Sequence, residues 1–150
     1  LRHYRLIWDS VKYEPGKLVV VAYDREGHPA MSDSVCTAGQ PYRLVATVDK
    51  HSVCANGTEY AFVQLKVVDR QGNLCPDSSE RIRFRVDGCG EFVASANGDP
   101  TDLNPFHISE MPVFHGQLMA IVRGNGRLGE FLFEASADGL LPRKIKIKTK

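Results

Sequence analysis

FVQLKVVDRQGNLCPDSSERIRFRVDG, residues 62–88, is the stretch whose reading decides the fold. In its first part Val63, Leu65 and Val67 alternate with Gln64 and Lys66. In its last part Ile82, Phe84 and Val86 alternate with Arg81, Arg83, Arg85 and Asp87. Successive side chains on a strand point to opposite faces, so each run reads as a half-buried strand with one apolar and one wet face. Between them DRQGN, residues 69–73, carries the Asp, Gly and Asn that tight turns favour. Pro76 ends an edge, because it lacks the amide proton that a ladder needs.

The same period continues on both sides. Leu44, Ala46 and Val48 face one way in YRLVATVD, with Arg43 and Thr47 opposite, and Ile145 and Ile147 alternate with Lys144, Lys146 and Lys148 in KIKIKTK. Further strands are expected at 17–24, 91–95, 117–123 and 129–136. Turn signals separate them: PG at 15, REG at 25, ANG at 55, GCG at 88, GNG at 124 and ADG at 137. No 11-residue window sustains a helical period. Short strands between turns spaced about 8 to 12 residues apart predict an all-β, antiparallel, immunoglobulin-like β-sandwich. The Cys-Trp-Cys signature of antibody domains is absent.

A chain of 150 residues, 43% hydrophobic and 25% charged, holds one domain, or one domain plus a fragment, with an ample core. Nineteen basic residues against 18 acidic ones leave a net charge of +1. That balance argues against nucleic acid as a partner, which needs a clustered basic surface. The terminal lysines alternate with isoleucines and read as the solvated face of a last strand. No apolar run approaches the roughly 20 residues of a membrane-spanning helix. The four cysteines, Cys36, Cys54, Cys75 and Cys89, lack the close pairs of a zinc site, and a core of this size needs no disulfide. Free thiols are therefore expected.

The beginning of the chain reads as the end of another domain. WDSVKYEPGKLVVVAYDREG, residues 8–27, combines an aromatic anchor, a Pro-Gly turn and a dense apolar strand. Two or three strands are expected there, around Leu6 to Trp8, Lys17 to Asp24 and Met31 to Val35. They would be a β-hairpin remnant of an upstream β-sandwich. The expected division is residues 1–38 as the terminal strands of that upstream domain plus a hinge, and 39–150 as an Ig-like β-sandwich domain. The start at Leu1 fits a piece of a longer protein. Val19, Val21 and Trp8 would need cover, either from the 40–150 domain or from residues 1–35 of a second molecule in a homodimer.

One segment breaks the pattern. ANGDPTDLNPFHISEMPVFH, residues 96–115, has three prolines and no alternation. Irregular loops this long are often functional. Its Asn97, Asp99, Asp102, Asn104, His107, Glu110 and His115, with Phe106 and Phe114, are the kinds of group that grip a sugar through an aromatic platform and polar rim, or hold calcium through oxygens. Asn97, Asp99, Asp102 and Phe106, together with Trp8, are the carbohydrate or interface candidates. The plainer reading is a crossover between sheets, pinned to the core by Phe106 and Phe114, and the oxygen spacing matches no defined calcium loop.

No catalytic constellation is legible. The carboxylates fall at strand ends and turns (Asp24, Asp49, Asp69, Asp87, Asp138) or on outward strand positions (Glu130, Glu134), without an acid–base partner. His3, His28, His51, His107 and His115 lack metal or nucleophile–base spacing. The expectation is no catalytic residue, no metal and no cofactor.

TAGQPYRLVATVD (37–49), ANGTEYAFVQLKVVDRQGNLCPDSSERIRFRVDGCGEFVASANGDP (55–100) and FHGQLMAIVR (114–123) together resemble the C-terminal Ig-like domain of family 2 glycoside hydrolases. The framework also resembles the bacterial Ig-like repeats of invasin and intimin. Upstream, YEPGKLVVVAYDREG running into DSVCTAG is similar to the last strands and hinge of the preceding Ig-like domain. Cys54, Cys75, Cys89 and the SEMPVF segment depart from the pattern. The resemblance implies a parent enzyme that hydrolyses β-linked sugars, β-galactosides above all, in polysaccharide degradation. Its two catalytic glutamates would sit in a TIM barrel outside these residues. The partners implied are that barrel and the neighbouring Ig-like domains, and the address implied is periplasmic or extracellular. The chain would be a non-catalytic accessory domain with a packing role. The competing readings are an adhesin-type Ig-like repeat and a carbohydrate-binding module. The latter would expose Trp8, Tyr13, Tyr60 or Phe106 for sugar stacking, although Trp8 and Tyr13 are expected to be buried against a neighbouring strand.

Overall fold

The computed structural model describes residues 6–150, so His3 lies outside the described residues. The chain divides into two units, one ending at Thr37 and one running Ala38–Lys150. In the first, β1 (Lys17–Tyr23) and β2 (Pro29–Cys36) form an antiparallel hairpin, Lys17 opposite Cys36 and Ala22 opposite Met31. Its turn closes on Asp24, whose Oδ1 accepts the amides of Glu26 and His28, both at 2.9 Å. Its open end is tied by the Thr37 amide to the Gly16 carbonyl at 2.8 Å and by the Gly16 amide to Thr37 Oγ1 at 3.0 Å.

Two expectations fail in this unit. Residues 6–8 form no strand, and Trp8 and Tyr13 are exposed at 64% and 73%. Val19 and Val21 are exposed as well. Taken by itself, the hairpin unit has only two strands and so supplies no second layer of its own to bury their faces against.

The second unit is a sandwich of nine strands: β3 (Arg43–Val48), β4 (Ser52–Val53), β5 (Tyr60–Val68), β6 (Arg81–Gly88), β7 (Gly90–Ala96), β8 (Glu110–Pro112), β9 (Gln117–Gly124), β10 (Gly129–Ser136) and β11 (Arg143–Thr149). One sheet runs β4-β11-β10-β6-β8 and the other β3-β5-β9-β7. All pairings are antiparallel except β4 with β11. The register obeys the alternation in the sequence. Val63, Leu65 and Val67 of β5, Ile82 and Phe84 of β6, and Ile145 and Ile147 of β11 all turn inward. Phe131 and Phe133 of β10 are buried with them. Phe84 stacks on Phe92 of the opposite sheet at 5.4 Å and on Phe133 at 6.1 Å, which closes the core across the two layers.

Two glycines are required by this packing. A Cβ on Gly90 would meet the Phe131 ring carbons far inside contact distance. Gly116 has a φ of +71° and abuts the Cys75 carbonyl, so both its conformation and its space exclude a side chain. The 96–115 segment does cross from one sheet to the other, leaving edge strand β7 and arriving at edge strand β8. It is less irregular than its sequence suggests, because β8 pairs with β6, Ile82 opposite Met111.

Candidate functional site: the cleft between β7 and β8

The crossover is built from three consecutive side-chain-to-backbone turns. Asn97 Oδ1 accepts the Asp99 amide at 3.0 Å. Asp99 Oδ1 accepts the Thr101 amide and hydroxyl at 2.8 and 2.7 Å. Asp102 Oδ1 accepts the Asn104 amide and Nδ2 at 2.8 and 2.6 Å. Asn and Asp imitate a backbone turn in this way, which is why a loop without alternation still has a definite path. Asn97 Nδ2 locks the ends together, donating to Asp102 Oδ2 at 2.7 Å and to the Pro112 carbonyl at 3.1 Å. The Ser95 amide donates to the Phe106 carbonyl at 2.7 Å and so fixes the loop to the edge of β7.

These turns enclose an open cleft of about 300 Å³ lined by Asn97, Asp99, Asp102, Asn104, Phe106 and Met111. Four of the five residues singled out in the sequence, Asn97, Asp99, Asp102 and Phe106, are thus brought together. The fifth, Trp8, belongs to the hairpin unit and is not among the lining residues. Phe106 does not pin the loop to the core, as the crossover reading expected. It is 63% exposed, because its backbone is committed to β7 while the core side of the cleft is already filled by Met111. The amides of Asn104 and Asn97, aided by the charge of Arg81, hold the Asp102 carboxyl below the usual carboxylate range. It is therefore an acceptor at neutral pH and not a proton donor.

Other groups are placed more simply. Asp24, Glu26 and His28 converge at the hairpin turn, their ligand-type atoms within 4.8 Å of one another and all exposed. Beyond the turn itself, no spacing rule pointed to this trio, and Asp24 already commits one oxygen to the turn amides. A second groove, about 420 Å³, runs beside β3 and β11 and is lined by Thr47, His51, Arg143, Lys144 and Lys146 among others. His51, His107 and His115 are exposed, and the four cysteines are unpaired.

The most deeply buried charged group among the described residues is one whose sequence context reads as an ordinary turn. Asp69 is 1% exposed and accepts the Gly39 amide at 2.8 Å, the Asn73 amide at 2.8 Å and Asn73 Nδ2 at 3.0 Å. The Gly39 amide, joined by Asn73, lowers its pKa to about 2 even though burial opposes the charge.

The two outer faces of the sandwich differ in kind. On the five-stranded sheet, Lys144 pairs with Glu134 at 3.3 Å and Lys146 with Glu130 at 3.2 Å, while Arg81 pairs with Glu110, Arg83 with Asp138, and Arg85 with Asp87. Lys144 and Lys146 thus belong to a solvated, ion-paired comb. On the four-stranded sheet, Phe62 lies opposite Ile121, which lies opposite Ala94, and the next row is Gln64, Met119 and Ala96. Phe62 is 42% exposed and Tyr60 38%, with the Arg123–Glu91 pair (2.6 Å) at the rim. That face carries an apolar patch between Lys66 and Gln117 on one side and the Arg123–Glu91 pair on the other, where its counterpart is covered by ion pairs.

Comparison with known proteins matches this architecture. The family described as glycoside hydrolase family 2 C-terminal domain 5 matches residues 44–146, and a domain of unknown function, DUF4982, matches residues 1–30. The chain is similar to Beta-galactosidase BoGH2A of Bacteroides ovatus, 31% identical over 147 residues, which is 98% of this chain and 17% of that protein. Among solved structures, a beta-glycosidase from Bacteroides vulgatus superposes with a TM-score of 0.87 at 24% identity, over 93% of this chain and 18% of that one. A glycosyl hydrolase family 2 member from Bacteroides cellulosilyticus gives 0.88 at 22% identity, over 93% and 18%. These two likenesses show the fold. The chain spans about a sixth of the length of the relatives it matches.

Proposed function

Since the chain belongs to the glycoside hydrolase family 2 C-terminal domain 5 family, we propose that it is the non-catalytic accessory end of a longer glycoside hydrolase and acts by packing against that enzyme's other domains. The parent activity we infer is hydrolysis of β-linked sugars, β-galactosides first, in line with the relative named a beta-galactosidase. The chemistry of that reaction requires one carboxyl to donate a proton, and so a raised pKa. In the cleft Asp102 is shifted the opposite way, which suits an acceptor and not an acid.

The observation that carries the packing role is the apolar outer face around Phe62, Met119 and Ile121, set against the charged comb on the other sheet. Gln64, Lys66 and Gln117 keep part of this face wet, but Phe62, Ile121, Met119 and Ala94 form a contiguous apolar patch within it. A patch of that kind on an outer sheet face suits a contact surface. The face has the composition of an interface core with Arg123, Glu91 and Gln64 as its polar margin. The hairpin of residues 17–36 would complete the preceding domain's sandwich, which would cover Val19, Val21 and Trp8.

The test uses Phe62→Ser with Ile121→Ser. In the 150-residue chain these partly exposed changes should leave the melting temperature nearly unchanged. In the longer enzyme they should lower it and loosen the domain to proteolysis. Equal behaviour of variant and wild type in the longer enzyme would remove this face from the interface. Turnover of a chromogenic β-galactoside by the 150-residue chain above background would sink the non-catalytic assignment.

A further inference from the structure

The cleft between β7 and β8 has a use that domain packing does not require. We propose that it binds a single neutral pyranose ring, with Phe106 under the ring and Asp99 and Asn104 on its hydroxyls. Three features of the cleft converge on that ligand. Its size, about 300 Å³, sits at the small end of ligand sites and suits one sugar ring. Its aromatic wall is presented to solvent: Phe106 is 63% exposed and lines the cleft. The other residues of that loop are Asn, Asp, Thr, Gly and Pro apart from Leu103, which is exposed and not among the lining residues. An exposed phenyl beside hydrogen-bonding groups offers an apolar platform with a polar rim, the surface that a pyranose presents in complement.

The third feature is preorganisation. Asn97, Asp99, Asp102 and Asn104 are already held by bonds to neighbouring backbone and to one another, so the ligand need not immobilise them. Among the described residues nothing donates to Asp99 Oδ2 or Asn104 Oδ1, which leaves acceptors for sugar hydroxyls. The carboxylates of Asp99 and Asp102 form no ion pair among the described residues. An anionic sugar would meet two carboxylates there, with only Arg81, itself paired to Glu110, close enough to offset them, whereas a neutral one would meet no such repulsion. A cation is a poorer fit, because Asp102 has amide donors on both oxygens where a metal would need bare lone pairs.

The experiment is a titration of the ¹⁵N-labelled 150-residue chain with lactose, maltose and methyl β-glucuronide, followed by amide shifts. Saturable movement of residues 97–106 and of the Asn97 and Asn104 side-chain amides is expected with lactose or maltose. The affinity should be on the order of 1 mM, as suits one open subsite. Phe106→Ala should weaken it by about tenfold or more. Because Phe106 is exposed, strand resonances in that variant should stay in place, which separates lost binding from lost folding. Absence of shifts with both neutral sugars would overturn the site. So would shifts that survive Phe106→Ala, that vanish with a calcium chelator, or that are larger for the glucuronide. None of those outcomes bears on the packing face, which Phe62 and Ile121 report separately.

Discussion

Asp69 sits at the point where the segment entering β3 meets the turn that leaves β5. Its carboxylate takes three amide hydrogens while almost wholly out of water. A group held at about 2 when folded, against about 3.9 when unfolded, stabilises the fold fully above about pH 5. That contribution drains away as pH falls through 4 towards 2. The acid limb of a stability–pH curve should therefore flatten in Asp69→Asn, which should also melt several degrees lower at pH 7. An unchanged acid limb would dissociate Asp69 from acid unfolding. Gly90 makes a second claim at this scale: with no room beside the Phe131 ring, Gly90→Ala should destabilise by about 1–3 kcal/mol through overpacking. Phe133→Ala, at the buried centre, should cost about 3–5 kcal/mol by chemical denaturation. Ile82, Phe84 and Phe133 announce their burial through alternation. Asp69 does not, since an Asp before Arg-Gln-Gly-Asn reads equally well as a surface turn, and only the approach of Gly39 from 30 residues away encloses it.

The strands and the crossover differ in how openly the sequence declares them. β5, β6 and β11 can be placed from period two alone, and so can the comb of lysines and glutamates on their wet face. That comb is a surface feature of little energetic weight: Lys144→Ala or Glu134→Ala should shift stability by less than about 1 kcal/mol, with the shift shrinking further in high salt. A larger loss on urea melting would mean that the pair does more than keep the face soluble. The loop at 97–106 could be recognised as unusual but not read as a cleft, because its shape rests on bonds such as Asn97 to Pro112 that no period encodes. β8 escaped for a related reason: three residues ending in proline are too short to alternate, and it exists because β6 offers it an edge. The hairpin strands were legible, but the exposure of Trp8 and Tyr13 was not, since burial belongs to whatever layer covers a sheet.

At the scale of the molecule, every buried core residue among the described residues lies within Ala38–Lys150. The sandwich should therefore fold alone. Deleting residues 1–37 should leave a single cooperative thermal transition, with a midpoint within a few degrees of the full chain's. A broad or strongly lowered transition would show that the hairpin contributes to the sandwich's stability. Alternation, turn residues and near-neutral charge are local properties, and they were enough to determine an all-β sandwich, its inward residues and its wet strand face. Tertiary structure alone decided three things: the enclosure of Asp69, the joining of Phe62, Met119 and Ile121 into one apolar patch on an outer face, and the gathering of Asn97, Asp99, Asp102, Asn104 and Phe106 around one cleft. The reason is physical. Periodicity says which way a side chain points from its own strand, whereas enclosure and convergence depend on strands far apart in the chain meeting edge to edge and face to face.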